Sequence, residues 1–176
     1  MPTMPPSSSS SAGLASSECF RTVTALLDGL GVRRALAGAG AAARYRASDR
    51  ITTDLDFLVE PNDRLVDALT SEGFSVRTAE DEGEVHLVRA RNANCAVDFI
   101  VAGTAYQHLA IERARGHVLT VEDVLVHKLI AWRPRDRDDV RSILSTGLAF
   151  DREYVDHWAR EWSVDDRWRD ALSWRG

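Results

Sequence analysis

The chain has 176 residues, a formal net charge of −5, 44% hydrophobic residues and 28% charged residues. That length holds one domain with a single sizeable core, and the composition is that of a globular protein, which excludes the disordered and fibrous classes. No apolar run reaches the roughly 20 residues that span a bilayer, and the negative balance argues against a general nucleic-acid binder, which carries a basic footprint.

Residues 1–17, MPTMPPSSSSSAGLASS, have neither the basic n-region nor the apolar h-region of a secretory signal. Their Pro, Ser and small residues cannot bury a core, so they are expected to form a disordered tail before one domain at 18–176. Ser17 is the expected N-cap of a helix that carries Phe20, Val23, Leu26, Leu27 and Leu30 on one face and ends at Gly31. The stretch VRRALAGAGAAARYRA reads as a short strand, a glycine turn and a short helix. TDLDFLV at 53–59 is a strand, and Pro61 is expected to open a helix running to about Leu69, with Gly73 beyond its end. FSVRTA, EVHLVRA and CAVDFIVA are further strands separated by acidic or Asn-rich turns. From about Thr104 the pattern is helical, at 105–115, 121–133, 135–145 and 151–162, with Trp168 and Trp174 in the tail. A strand-rich core at about 18–104 and a helical half at about 105–176 define an α+β domain.

Several features point to packing or remain open. Tyr154, Trp158 and Trp162 form a helical stripe expected to pack in the core. No histidine pair has metal-ligand spacing. Cys19 and Cys95 make no CxxC pair, so neither a disulfide nor a zinc site is expected, and a reducing cytoplasm is the default location. Arginines cluster at Arg33, Arg34, Arg44, Arg46 and Arg50 and again at Arg133, Arg135, Arg137 and Arg141. Each cluster reads equally as a solvated face or as a phosphate contact.

The acids carry the chemistry. Asp54 and Asp56 alternate with Leu55 and Phe57 on a strand, so both project from one face. Two carboxylates held together repel unless a cation bridges them, and a hard ion such as magnesium suits such an oxygen-rich set. Asp98 interrupts the apolar strand CAVDFIVA, where an unpaired charge is costly. If the two strands are neighbours, the acids converge in a way that suits two-metal phosphoryl chemistry. The alternative is that Asp54 ends a turn and Asp98 faces water on an edge strand. Gly38, Ala39 and Gly40 lie between a strand and a helix, where exposed backbone N–H groups can hold a phosphate; the glycines also suit plain close packing. Lys128 is the only lysine among 22 basic residues. It shares a helix face with Val121, Leu125 and Trp132, so it points into the domain, where a compact ammonium can reach a triphosphate or the acids. Asp136, Asp138 and Asp139 follow Pro134 and equally suit the positive end of a new helix.

In order, LAGAGAAARY, the R-x-T-x-D-x-D of Arg50, Thr52, Asp54 and Asp56, VDFI, and EDVLVHKLIAWRPRDRDDVRSIL resemble the minimal and AbiEii/MenA-type nucleotidyltransferases of the DNA polymerase beta-like superfamily, over roughly residues 30–145. The resemblance implies a polymerase beta-like nucleotidyltransferase fold with a small mixed sheet. It also implies transfer of a nucleoside monophosphate from a nucleoside triphosphate (NTP) to a hydroxyl on RNA such as tRNA, on protein or on a small molecule. Gly38, Ala39, Gly40, Arg50, Thr52 and Lys128 would then contact the nucleotide, and Asp54, Asp56 and Asp98 would hold Mg2+ or Mn2+. Asp98, Lys128 and Asp139 would serve catalysis, Asp98 as metal ligand or base. Several such enzymes are the toxin of a toxin–antitoxin pair, so a cognate partner is implied, and no membrane. The family usually has Gly-Gly or Gly-Ser where this chain has Gly38-Ala39, which removes a phosphate-binding hydroxyl or the closest backbone approach. A non-catalytic nucleotide-binding or partner-binding module, and an aminoglycoside-type antibiotic nucleotidyltransferase, are the rival readings.

Overall fold

A computed structural model describes residues 9–47 and 54–174, with the side chains of its first helix described from Ser17 onward. Five strands form one mixed sheet in the order β1-β2-β5-β4-β3. They are β1 (Arg34–Leu36), β2 (Asp54–Val59), β3 (Ser75–Asp81), β4 (Glu84–Arg91) and β5 (Ala96–Val101). β2 and β5 run parallel, and the remaining neighbours are antiparallel.

Alternation on the strands divides the core in two. Leu55, Phe57 and Val59 of β2 and Val97 and Phe99 of β5 turn to the face covered by α1 (Ser9–Leu30) and α3 (Leu65–Ser71). Phe57 and Phe99 stack there with centroids 6.1 Å apart, and each such buried ring contributes about 1.5–3 kcal/mol. The opposite face receives Leu58, Ala35 and Ala37. It is covered by α2 (Gly38–Ala42), α4 (Ala105–Arg113), α5 (Val121–Ala131), α6 (Pro134–Ser145), α7 (Arg152–Glu161) and α8 (Asp165–Ser173). Tyr154, Trp158 and Trp162 pack against this second core as their spacing predicts, and Trp158 lies 4.6 Å from Tyr106 by ring centroids.

Local chemistry fixes the helices near the acids. Thr120 caps α5, accepting from the Asp123 N–H. The helix stops at Trp132, whose left-handed backbone lets its N–H donate to the Lys128 carbonyl at 2.8 Å. Pro134 then opens α6, with its missing N–H at a position that has no helical acceptor.

Some expectations are corrected. Helix α1 begins at Ser9, upstream of the Ser17 N-cap, because no proline interrupts residues 9–17; residues 1–8 of the expected tail lie outside those described. Helix α3 begins at Leu65, since the chain turns first, with the Arg64 N–H donating to Asn62 Oδ1. A further helix, α8, carries Trp168 into the core. Cys19 and Cys95, 76 residues apart, are joined in a disulfide. Local spacing is blind to this pair, because α1 crosses the sheet and brings Cys19 to the β4–β5 turn. The bond also removes the sequence argument for a reducing cytoplasm. No described helix is long and apolar enough to cross a membrane.

Candidate active site

Strands β2 and β5 are neighbours, as the convergence of the acids requires. Asp56 and Asp98 are register partners, and Asp54 stands opposite Ala96 on the same face. Burial pushes the Asp56 carboxyl above the usual range, and the charges of Asp98 and Asp54 add to the rise; Lys128 and Arg133 act through space in the opposite direction. Among the described residues no cation lies within ion-pair distance of Asp56.

The glycine turn sits on this carboxylate. The Ala37 N–H donates to the Asp56 carbonyl at 2.8 Å, which brings the next residue over the side chain. Gly38 has φ +55, and a Cβ built on it would collide with the Asp56 carboxylate. Only glycine tolerates both demands. Ala39 and Gly40 continue into α2, a helix of 5 residues whose N-terminus opens beside Asp56. Arg50 and Thr52 lie outside the described residues.

Asp98 departs from the expected arrangement. Its Oδ1 accepts from Arg91 Nη2 at 2.5 Å, and its Oδ2 lies 3.6 Å from Arg89 Nε. Among the described residues no group of three or more His, Cys, Asp or Glu side chains is placed to hold a metal ion. The physical reason is repulsion: an acid facing another acid turns to the guanidiniums that the next strand supplies. The signal was in RARNANCAVD. A tight turn with Asn92 N–H donating to the Cys95 carbonyl at 2.9 Å puts Arg91 opposite Ala96 and Arg89 opposite Asp98.

Lys128 points inward, but its partners are the acids of α6. Its Nζ lies 2.8 Å from Asp136 Oδ1 and 2.9 Å from Asp139 Oδ2, and its side chain is 7% exposed. Arg46, just after α2, reaches Asp139 at 3.1 Å, with both side chains buried. Arg133 caps the chain by donating from Nε to Asp136 Oδ2 at 2.8 Å. The alternating run Arg46–Asp139–Lys128–Asp136–Arg133 thus ties α5 and α6 to the segment after the glycine turn. The pairing of Lys128 with Asp136 and of Arg46 with Asp139 was not foreseen. Asp138 sits on the exposed side near Arg141.

No protein-family model matches the sequence, and no curated protein matches it. Among solved structures, the antibiotic-resistance factor ANT(2'')-Ia in solution is similar, with a TM-score of 0.54 at 15% identity over 89% of this chain and 92% of that one. A nucleotidyltransferase-like antigenic protein from Paracoccidioides brasiliensis has a TM-score of 0.43 at 18% identity, over 97% of this chain and 95% of that one. The fold is therefore that of the nucleotidyltransferases, a mixed α/β sheet flanked by helices.

Proposed function

We propose that this chain is a nucleotidyltransferase that moves a nucleoside monophosphate from an NTP to a hydroxyl acceptor and releases pyrophosphate. The observation that carries the reading is the placement of Gly38 directly over Asp56, with Asp98 as the register partner of that acid. A desolvated carboxylate with no ion pair among the described residues, beside a second acid and under an open backbone turn, is the donor chemistry that a hard divalent cation fits. Asp54, Asp56 and Asp98 would hold Mg2+ or Mn2+, which when bound would neutralise charge on the transferring phosphate. The Gly38–Ala39–Gly40 turn would approach the triphosphate with its N–H groups. Lys128, with Arg133, would add positive potential at Asp56, while Asp136 and Asp139 hold the lysine in position. The acceptor is RNA such as tRNA, a protein or a small molecule, with a toxin role and a cognate partner among the consequences of the family resemblance.

One observation favours the rival, a non-catalytic module of the same fold. Asp98 and Lys128 are both ion-paired within the chain. The test is to incubate the protein with each labelled NTP, magnesium or manganese, and separately a tRNA pool, a protein lysate and an aminoglycoside. Label on one acceptor, lost in Asp56→Asn, supports the enzyme; nucleotide binding without transfer to any of them supports the module.

A further inference from the structure

On the face of the sheet that carries the acids, Arg77, Arg89, Asp98 and Asp56 are successive register partners across β3, β4, β5 and β2. One row nearer the β4–β5 turn, Arg91 pairs with Ala96 across from Asp54. The layout is lopsided. Two guanidiniums, Arg89 and Arg91, share the single carboxylate of Asp98, and a third, Arg77, makes no ion pair among the described residues. On the other side Asp56 has no paired cation among the described residues. Asp98 stands between a surplus of positive charge and a surplus of negative charge, and it is engaged with the positive side. The acidic β3–β4 turn at 80–84 lies at the opposite end of the hairpin from Arg91.

The contact that holds Asp98 is open to water. Its side chain is 25% exposed, and those of Arg89 and Arg91 are 59% and 42% exposed. Ion pairs so placed contribute little, on the order of 0–1 kcal/mol, and are readily exchanged. A phosphate is a better partner for paired guanidiniums than one shared carboxylate, because it offers more oxygens and more charge.

We propose that Arg89 and Arg91, extended by Arg77, form a phosphate site that Asp98 closes as an internal substitute ligand. A phosphate-bearing ligand displaces Asp98 from the arginines, and the released carboxylate turns to the Asp56 side. Anion binding and cation binding are then mutually reinforcing, and the site takes both together. The second half of this statement rests on the metal reading above; the first half does not. The phosphate belongs either to the NTP or to the backbone of a nucleic-acid acceptor.

The test is calorimetric titration of the full chain with pyrophosphate in EDTA buffer, repeated with ATP and with a short single-stranded RNA lacking a 5′ phosphate. Asp98→Asn removes the internal competitor and should bind pyrophosphate about tenfold tighter than the parent, within the span usual for coupled sites. Arg89→Gln/Arg91→Gln should lose most of that binding. Arg77→Gln, which breaks no ion pair among the described residues, should keep the fold and weaken it severalfold. The source of the phosphate is the arm, ATP or RNA, that gains more in Asp98→Asn. Manganese titration without phosphate adds a separate reading, with Arg89→Gln/Arg91→Gln binding the ion about tenfold more tightly than the parent. If Asp98→Asn and Arg77→Gln bind pyrophosphate, ATP and RNA as the parent does, the phosphate site is refuted. If these arms behave as expected and no form binds manganese, the phosphate site stands and the metal reading falls.

Discussion

Gly38 stands against the side chain of Asp56 so closely that no other residue fits above that carboxylate. Gly38→Ala adds a Cβ that must push the acid aside and forces alanine to φ +55. We expect a loss of about 1–3 kcal/mol in urea denaturation, the usual cost of a strained backbone position, together with loss of metal-dependent nucleotide binding. Gly40→Ala is the control. Its Cβ would lie 3.3 Å from a movable Leu36 methyl, and the roughly 1 kcal/mol that alanine gains in helix propensity offsets the contact. That variant should melt near the parent.

Asp56 is disfavoured as an anion in the fold because burial and the neighbouring acids raise its pKa. The folded state therefore binds this proton more tightly than the unfolded chain does. Stability linked to Asp56 is fully present below the unfolded carboxylate range and is lost as pH rises through the higher folded value. Asp56→Asn removes the penalty. It should melt above the parent at pH 7 in EDTA, and the gap should close as the pH falls towards 4, the model-peptide range for Asp. A variant that melts below the parent at both pH values contradicts the burial argument.

Lys128 neutralises Asp136 and Asp139, both about 1% exposed. Lys128→Met strands two buried acids, with Arg46 and Arg133 left as partial compensation. Losing one member of a buried network costs about 3 kcal/mol, so the variant should unfold at markedly lower urea. Lys128→Arg keeps the charge and should retain the fold. It should still weaken nucleotide binding about tenfold, because the broad guanidinium changes where the charge sits relative to Asp56. Equal stability of the Met and parent proteins would show that the acids are neutralised without this lysine.

The order of elements through α7 and the acid-bearing face were legible because they depend on local alternation. The spacing of Asp54 and Asp56 sets their shared face before any partner strand is known, and the periodicity of α4–α7 is equally local. What pairs with what was harder. The Asp98–Arg91 contact depends on the β4–β5 register, the disulfide on α1 crossing the sheet, and the Lys128 network on the angle between α5 and α6. Asp136 read as a helix-start acid. It is one, accepting from the Arg133 N–H at 3.1 Å, and it pairs with Lys128 as well. Sequence position carries the first role and not the second.

His127, on α5 beside Tyr106, is kept neutral by burial, its pKa brought down to about 4. The unfolded chain protonates this imidazole near pH 6.5, so stability is present above that value and is lost as pH falls towards the folded pKa. His127→Gln should flatten the fall in melting temperature between pH 6.5 and 4, a slope to which His127 adds up to about 3 kcal/mol in the parent. An unchanged slope would assign the acid sensitivity to other groups.

The most direct test of the account is calorimetric titration of the parent and of Asp56→Asn with a non-hydrolysable NTP, with and without magnesium. The parent should bind the nucleotide strongly only with magnesium, and Asp56→Asn, folded and at least as stable, should lose the magnesium-dependent part. Nucleotide binding that is indifferent to both magnesium and Asp56 would contradict it.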